Sequence, residues 1–203
     1  LLAANIDQAV VIVTIVDPKL KQGFIDRFLL MTEPYNIPTT VIFNKKDLYN
    51  SGHIGVYEYL RDIYQDIGYG VQLVSALSGE GLADFKELLQ GKTTLISGQS
   101  GVGKSSLINA LQPQFELKVQ ELSGFSGKGQ HTTTFAEMYE LEFGGFIIDT
   151  PGIKSLSFNN LEVMDVAHNF REFFQQSAEC RFSDCTHRNE PGCAVKEAIA
   201  EGE

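Results

Sequence analysis

The chain has 203 residues, 43% of them hydrophobic, with a formal charge of -10. That suffices for one medium-sized core with a small appendage, and the acidic balance excludes a broadly basic surface of the kind that neutralises nucleic-acid phosphates, leaving room only for a local patch. With no run of about eighteen apolar residues and no charged-then-apolar leader, a cytoplasmic protein without membrane contact is expected; three cysteines, all at or beyond Cys180, are an odd number and suit a disulfide framework badly.

The run AVVIVTIV at 9–16 is continuously apolar and β-branched, as in a strand covered on both faces, and Asp17-Pro18 ends it. Residues 20–31 place Phe24, Phe28 and Met31 at helical spacing, TTVIF at 39–43 reads as a strand, and 56–67 as a helix. GVQLVS at 70–75, a helix over 82–89, TTLIS at 93–97, a helix over 105–111 and GFIID at 145–149 follow. Strands alternating with helices predict an α/β fold with a mostly parallel sheet flanked by helices. In such sheets ligands bind beyond the carboxyl ends of the strands, so the residues after each strand matter most.

After TTVIF stands Asn44-Lys45-Lys46-Asp47. The Asp47 carboxylate suits guanine, accepting from N1–H and the 2-amino group, where adenine offers a mismatched edge. Lys45 is expected over the base and Asn44 between this loop and a phosphate loop; the bland reading is a charged turn after a strand. The next strand ends in Ser75-Ala76-Leu77, a turn able to offer a backbone N–H to guanine O6.

After TTLIS comes Gly98-Gln99-Ser100-Gly101-Val102-Gly103-Lys104-Ser105, then Ser106: a full GxxxxGK[ST] match between a strand and a helix. The glycines let N–H groups face phosphate oxygens, the helix adds its N-terminal partial charge, and Lys104 reaches the β- and γ-phosphates. Ser105 offers a hydroxyl to Mg²⁺. The Gly/Ser/Thr-rich stretch at 123–135 reads as a loop that orders around a γ-phosphate, with Thr133 the candidate second hydroxyl on Mg²⁺ and Thr132 and Thr134 its rivals. After GFIID comes Asp149-Thr150-Pro151-Gly152, where Asp149 can hold Mg²⁺ through water and Gly152 can give its N–H to the γ-phosphate.

Cys180, Cys185, His187 and Cys193 are spaced C-x4-C-x-H-x5-C, with Pro191-Gly192 forcing a turn before the last. Three thiolates and an imidazole make a closed structural zinc set able to fold a segment too small for its own core. The competing reading is buried free cysteines in a terminal helix, which the polar neighbours Arg181, Ser183, Asp184 and Arg188 disfavour. His53 and His168 read as ordinary helix or surface residues.

Guanine-nucleotide motifs ordinarily run phosphate loop, switch threonine, DxxG, NKxD, SA. Here NKKD and SAL come first, so the domain reads as circularly permuted, with native termini close enough to tolerate the rewiring. The order NKKD, SALSGEGL, GQSGVGKSSLIN, GxxHTTT, DTPG and a Cys/His cluster resembles the ribosome small-subunit-dependent GTPase family, RsgA, also called YjeQ or YloQ. The resemblance implies a permuted P-loop GTPase domain over 1–157 and a helical zinc-binding domain over 158–203. It further implies a GTP hydrolase acting late in maturation of the small (30S) ribosomal subunit, bound to that subunit and its rRNA in a nucleotide-dependent way. Family members also carry an N-terminal OB-fold, for which there is no room before Leu1, and continue past Glu203, so a longer parent protein is expected. Nothing in the sequence points beyond a monomer.

Where many GTPases place a water-orienting glutamine after DxxG, this chain has Ile153. His131, beside the threonine run, can position water or accept a proton, and the resemblance points to the same histidine; a solvent-facing loop histidine is the plainer reading. Two other functions stay open: a nucleotide-controlled binding switch with incidental hydrolysis, and an ATP-using P-loop enzyme with a fortuitous NKKD.

Overall fold

The structure, a computed structural model, describes residues 5–115, 137–149 and 163–202. The first apolar run becomes β1 (Gln8–Val13), buried along its whole length, because helices cover both faces. Ala9, Val11 and Val13 pack with Phe24, Phe28, Tyr57 and Leu60 from α1 (Gln22–Thr32) and α2 (Ser51–Asp66). The alternate residues Val10 and Ile12 pack with Phe85, Leu89, Leu107 and Ile108 from α3 (Leu82–Leu89) and α4 (Lys104–Leu111). Each large side chain so buried stabilises by about 1.5–3 kcal/mol.

The remaining strands are β2 (Thr39–Phe43), β3 (Gly70–Leu73), β4 (Thr93–Gly98), β5 (Glu137–Glu140) and β6 (Phe146–Asp149). They form a six-stranded sheet in the order β3-β2-β1-β4-β6-β5, parallel throughout except for the β5–β6 pair. The carboxyl ends of β2 and β4 therefore deliver Asn44 and the glycine loop to one edge.

Two predicted boundaries shift the most and one strand is unexpected, each for a local reason. β1 stops at Val13, short of residue 16, because its last ladder bond comes from Asn44 N–H to Val13 O (2.8 Å) and Lys45 then turns away with φ 65°. α2 starts at Ser51, five residues before the expected 56, because Asn50 and His53 form a reciprocal cap. His53 N–H donates to Asn50 Oδ1 (2.9 Å), and Asn50 N–H donates to His53 Nδ1 (3.2 Å). The glycines at 52 and 55 had hidden that first turn, and His53 is a capping residue rather than an ordinary helical one. β5 was not anticipated: in Glu137-Met138-Tyr139-Glu140 three of four side chains are exposed, so an edge strand held by its hairpin partner leaves no apolar alternation to read.

The C-terminal segment supplies α5 (Val163–Asn169), α6 (Arg171–Ser177) and α7 (Ala194–Glu201). It docks at the amino ends of β2 and β3, the side opposite the glycine loop, through Arg171. That guanidinium donates to Glu33 Oε1 (2.6 Å) and Gly68 O (3.1 Å) and lies 4.2 Å from the centre of the Tyr69 ring, whose hydroxyl donates to Glu33 Oε2 (3.1 Å). Burial, and then Glu33, hold the Tyr69 phenol above its usual pKa. Beside this latch lies a cavity of about 190 Å³ lined by Asp26, Leu30, Tyr64 and Phe170 among others, so the seam relies on a polar clasp more than on close packing. No helix among the described residues is long and apolar enough to cross a membrane.

Replacing Arg171 by Ala should cost about 1–2 kcal/mol. Limited proteolysis should then release the C-terminal helices first and leave the sheet protected, whereas unchanged protection of those helices would contradict the latch.

Candidate functional site

Around the glycine loop the backbone tolerates no side chain at two points. A Cβ on Gly98 would stand 2.5 Å from Ile12 O, and one on Gly103, at φ +92°, would stand 2.4 Å from Asn44 Nδ2. Gly103 caps α4 and no side chain bonds the cap, so the first N–H groups of Lys104, Ser105 and Ser106 precede the helix's own ladder, which starts with Leu107 N–H to Gly103 O at 2.9 Å. Lys104 Nζ curls back to Gly98 O (3.1 Å), and burial lowers its pKa while the Asp149 carboxylate opposes that shift. Gln99, Ser100, Gly101 and the buried Val102 complete the loop between β4 and α4.

Asn44 is 1% exposed and spends every polar group. Its Nδ2 donates to Val102 O (2.9 Å) in the glycine loop, and its Oδ1 accepts from Ala76 N–H at 3.3 Å, a long bond that leaves the donor shareable with a base oxygen. Its carbonyl accepts from the Tyr49 hydroxyl (3.0 Å). Lys45, in the left-handed region, donates from Nζ to Asp17 O (2.6 Å), closing the wall behind the loop. Asp47 sits exposed in a 3₁₀ turn, Lys46–Leu48, with Oδ1 accepting from the Ser75 hydroxyl. Ser75 is fully buried, its N–H donating to Glu80 O (2.9 Å), while Lys46 pairs with the Glu80 carboxylate. The NKKD and SAL segments thus meet the glycine loop at one place although 58 residues separate Asn44 from Val102.

At the end of β6, Asp149 Oδ1 is buried with no hydrogen-bond partner among the described residues. Burial raises its carboxyl pKa, Lys104 pulls it down, and Glu137, its cross-strand neighbour, pushes it up. An orphaned carboxylate oxygen beside the glycine-loop lysine fits a divalent cation. His131, Thr133 and Gly152, with Thr132 and Thr134, lie outside the described residues.

The second cluster lies between α6 and α7. The ligand atoms of Cys180, Cys185, His187 and Cys193 all fall within 4.8 Å of one another, and His187 Nδ1 stands 3.7 Å from Cys180 Sγ and 3.4 Å from Cys193 Sγ. Ligand separations of about 3.3–4 Å are what a tetrahedral zinc centre with bonds near 2.0–2.3 Å requires. No cysteine lies inside a helix; Cys193 is the residue before α7, which removes the buried-helix reading. Burial pushes the Cys185 thiol up to about 11.

Sequence reading missed Glu190, which organises this knuckle. Its carboxylate accepts from Thr186 N–H (3.0 Å), the Thr186 hydroxyl (2.5 Å), Arg188 N–H (2.9 Å) and Asn189 N–H (2.9 Å), and these bonds hold its pKa well below the usual range. Wrapped around that anion, His187 adopts φ 60°. A lone acid ahead of Pro191-Gly192 was the available signal. Tyr49 and Glu80 were also missed: Tyr49 belongs to no motif, and Glu80, inside SALSGEGL, acts through its carbonyl to Ser75 and its carboxylate to Lys46, which the motif does not show.

The RsgA GTPase family profile matches residues 1–159. A small ribosomal subunit biogenesis GTPase RsgA from Phocaeicola vulgatus is 50% identical over 199 residues, 98% of this chain and 64% of that protein. Its namesake from Bacteroides fragilis is 47% identical over 201 residues, 99% of this chain and 65% of its own. Among solved structures, YjeQ from Thermotoga maritima superposes with a TM-score of 0.81 at 38% identity, over 98% of this chain and 66% of that one. YloQ, described as a circularly permuted GTPase, gives 0.77 at 34% identity, over 98% and 62%. The chain spans just under two thirds of the length of these relatives. With its NKKD, SAL and glycine-loop segments meeting at the carboxyl ends of the strands and a profile match over most of its length, the chain belongs to the RsgA GTPase family.

Proposed function

We propose that this chain binds and hydrolyses GTP as the catalytic portion of a factor for small ribosomal subunit biogenesis. The observation that carries the reading is the Asn44 bridge, which sets a base-reading loop and a phosphate loop at a fixed separation. The relatives' names, small ribosomal subunit biogenesis GTPase, support the subunit and its rRNA as partners.

In this reading the Asp47 carboxylate accepts from guanine N1–H and the 2-amino group. Lys45 flanks the base, and the Ser75-Ala76 turn faces O6. N–H groups from Gly98 through Ser106 surround the phosphates, Lys104 directs its ammonium to the β- and γ-oxygens, and Gly152 donates to the γ-phosphate. Ser105, Thr133 and Asp149 are the holders of Mg²⁺, which when bound neutralises charge developing between the β- and γ-phosphates. His131 orients the attacking water, the place Ile153 leaves unfilled. Cys180, Cys185, His187 and Cys193 take one structural zinc, whose four filled positions leave it no catalytic part. Residues 1–157 form the GTPase unit and 158–203 the zinc-holding helical unit.

Ile153 favours a second reading, a switch whose nucleotide state controls ribosome affinity with hydrolysis incidental. Equal release from the small subunit with GTP and with a non-hydrolysable analogue would support it.

Competition binding should show guanine nucleotides displacing a fluorescent GDP while ATP fails, and Asp47→Asn should weaken GDP at least about 100-fold without lowering the melting temperature. ATP winning that competition would sink the reading. His131→Ala should reduce subunit-stimulated turnover by about 100-fold with little change in GTP affinity; intact stimulated turnover would remove His131 from the mechanism. Metal analysis should find one zinc per chain, and a strong chelator should expose the segment from Cys180 to Cys193 to protease while GDP binding persists.

A further inference from the structure

We infer that Tyr49 is a positioning residue for base recognition, holding the Lys46–Leu48 turn so that the Asp47 carboxylate meets the guanine edge. The inference rests on the assignment of Asp47 as the base reader.

The phenol oxygen joins the ends of β1 and β2 just beyond their last ladder bond, Asn44 N–H to Val13 O, to the turn that follows. It donates to Asn44 O (3.0 Å), at the end of β2, and accepts from Ile15 N–H (3.0 Å), just past the end of β1. Tyr49 itself closes the turn, its own N–H donating to Lys46 O at 2.9 Å. The chain from Asn44 to Tyr49 is therefore a small ring shut by a side chain, and Asp47 lies at its middle. On its other side Asp47 is held by the Ser75 hydroxyl. The carboxylate is thus held by Ser75 beyond the β3 end, and the turn that carries it is closed by Tyr49.

The location of the ring explains why tyrosine suits this place. Its body packs against the core between β1, α1 and α2 and meets His53, the α2 capping residue, edge to face at 6.1 Å. Its tip reaches the strand ends, where β1 has already lost its ladder and Ile15 N–H has no neighbouring strand. The hydroxyl is protonated at neutral pH and donates to the Asn44 carbonyl; burial pushes its pKa further up. Phenylalanine preserves the ring contacts and deletes the two bonds, which separates positioning from packing.

The discriminating quantity is the ratio of GDP to inosine diphosphate affinity in the full-length protein. Inosine keeps N1–H and lacks the 2-amino group, so the ratio reports how well Asp47 is placed and is independent of the fraction of protein folded. Tyr49→Phe should lower it about tenfold, leave ATP affinity where it is, and keep the melting temperature close to that of the unaltered protein. In an Asp47→Asn background Tyr49→Phe should leave the ratio unmoved, because the reader is already gone. A ratio unchanged by Tyr49→Phe, with Asp47→Asn abolishing the preference, overturns the positioning role and leaves the base reading standing. A preference that survives Asp47→Asn overturns the base reading, and the role of Tyr49 with it.

Discussion

A buried side-chain amide that found no partners would cost several kcal/mol, and Asn44 avoids that cost only by bonding loops from two other strands. Its amide nitrogen holds Val102 O and its oxygen holds Ala76 N–H. This contact fixes the distance between the NKKD turn and the glycine loop, and it requires Gly103 to have no Cβ. Because the bond acts through space, the order in which the chain visits the two loops is immaterial to the site. That is the physical reason a permuted sequence can bring the same loops together.

The C-terminal helices are attached on different terms. Arg171 clasps Glu33, Gly68 and Tyr69 at the amino ends of β2 and β3, and β2, five residues long, puts about 17 Å of strand between that clasp and Asn44. Charge and a π face hold this joint, with a cavity beside it, where the sheet is held by strand ladders and two apolar layers. Within the module the loop that carries the Cys/His cluster is shaped by a carboxylate, Glu190, that spends its oxygens on backbone N–H groups. Local electrostatics there substitutes for a hydrophobic core, which a segment of that length cannot supply.

Much of this was legible in the residues. β2 falls on its expected position because it is a short apolar block between turn residues, α3 because Leu82, Phe85 and Leu89 recur at helical spacing, and the NKKD, SAL and glycine-loop segments follow strands as read. What escaped has a common cause: it depends on partners distant in sequence or on polar bonds. The Glu137–Glu140 strand exists through pairing with β6, and the first turn of α2 through the Asn50–His53 cap. Glu190 and Tyr49 act through backbone groups that carry no sequence signature. His131, Thr133 and Gly152 fall outside the described residues, so their roles rest on the motif.

The strand order carries a consequence for synthesis. β1 lies at the centre of the sheet, flanked by β2 and by β4, and its bond partners on the β4 side are some 86 residues away. A ribosome producing this chain therefore releases the central strand first, pairs it on one side with β2, and leaves the edge of Gln8–Val13 unsatisfied until Thr93–Gly98 emerges. For that interval the half-made sheet shows a bare apolar edge of the kind that pairs with other chains. An unpermuted arrangement, which begins with the glycine-loop strand, meets that hazard at a different moment, so rewiring that leaves the finished site untouched alters the route by which the protein is born.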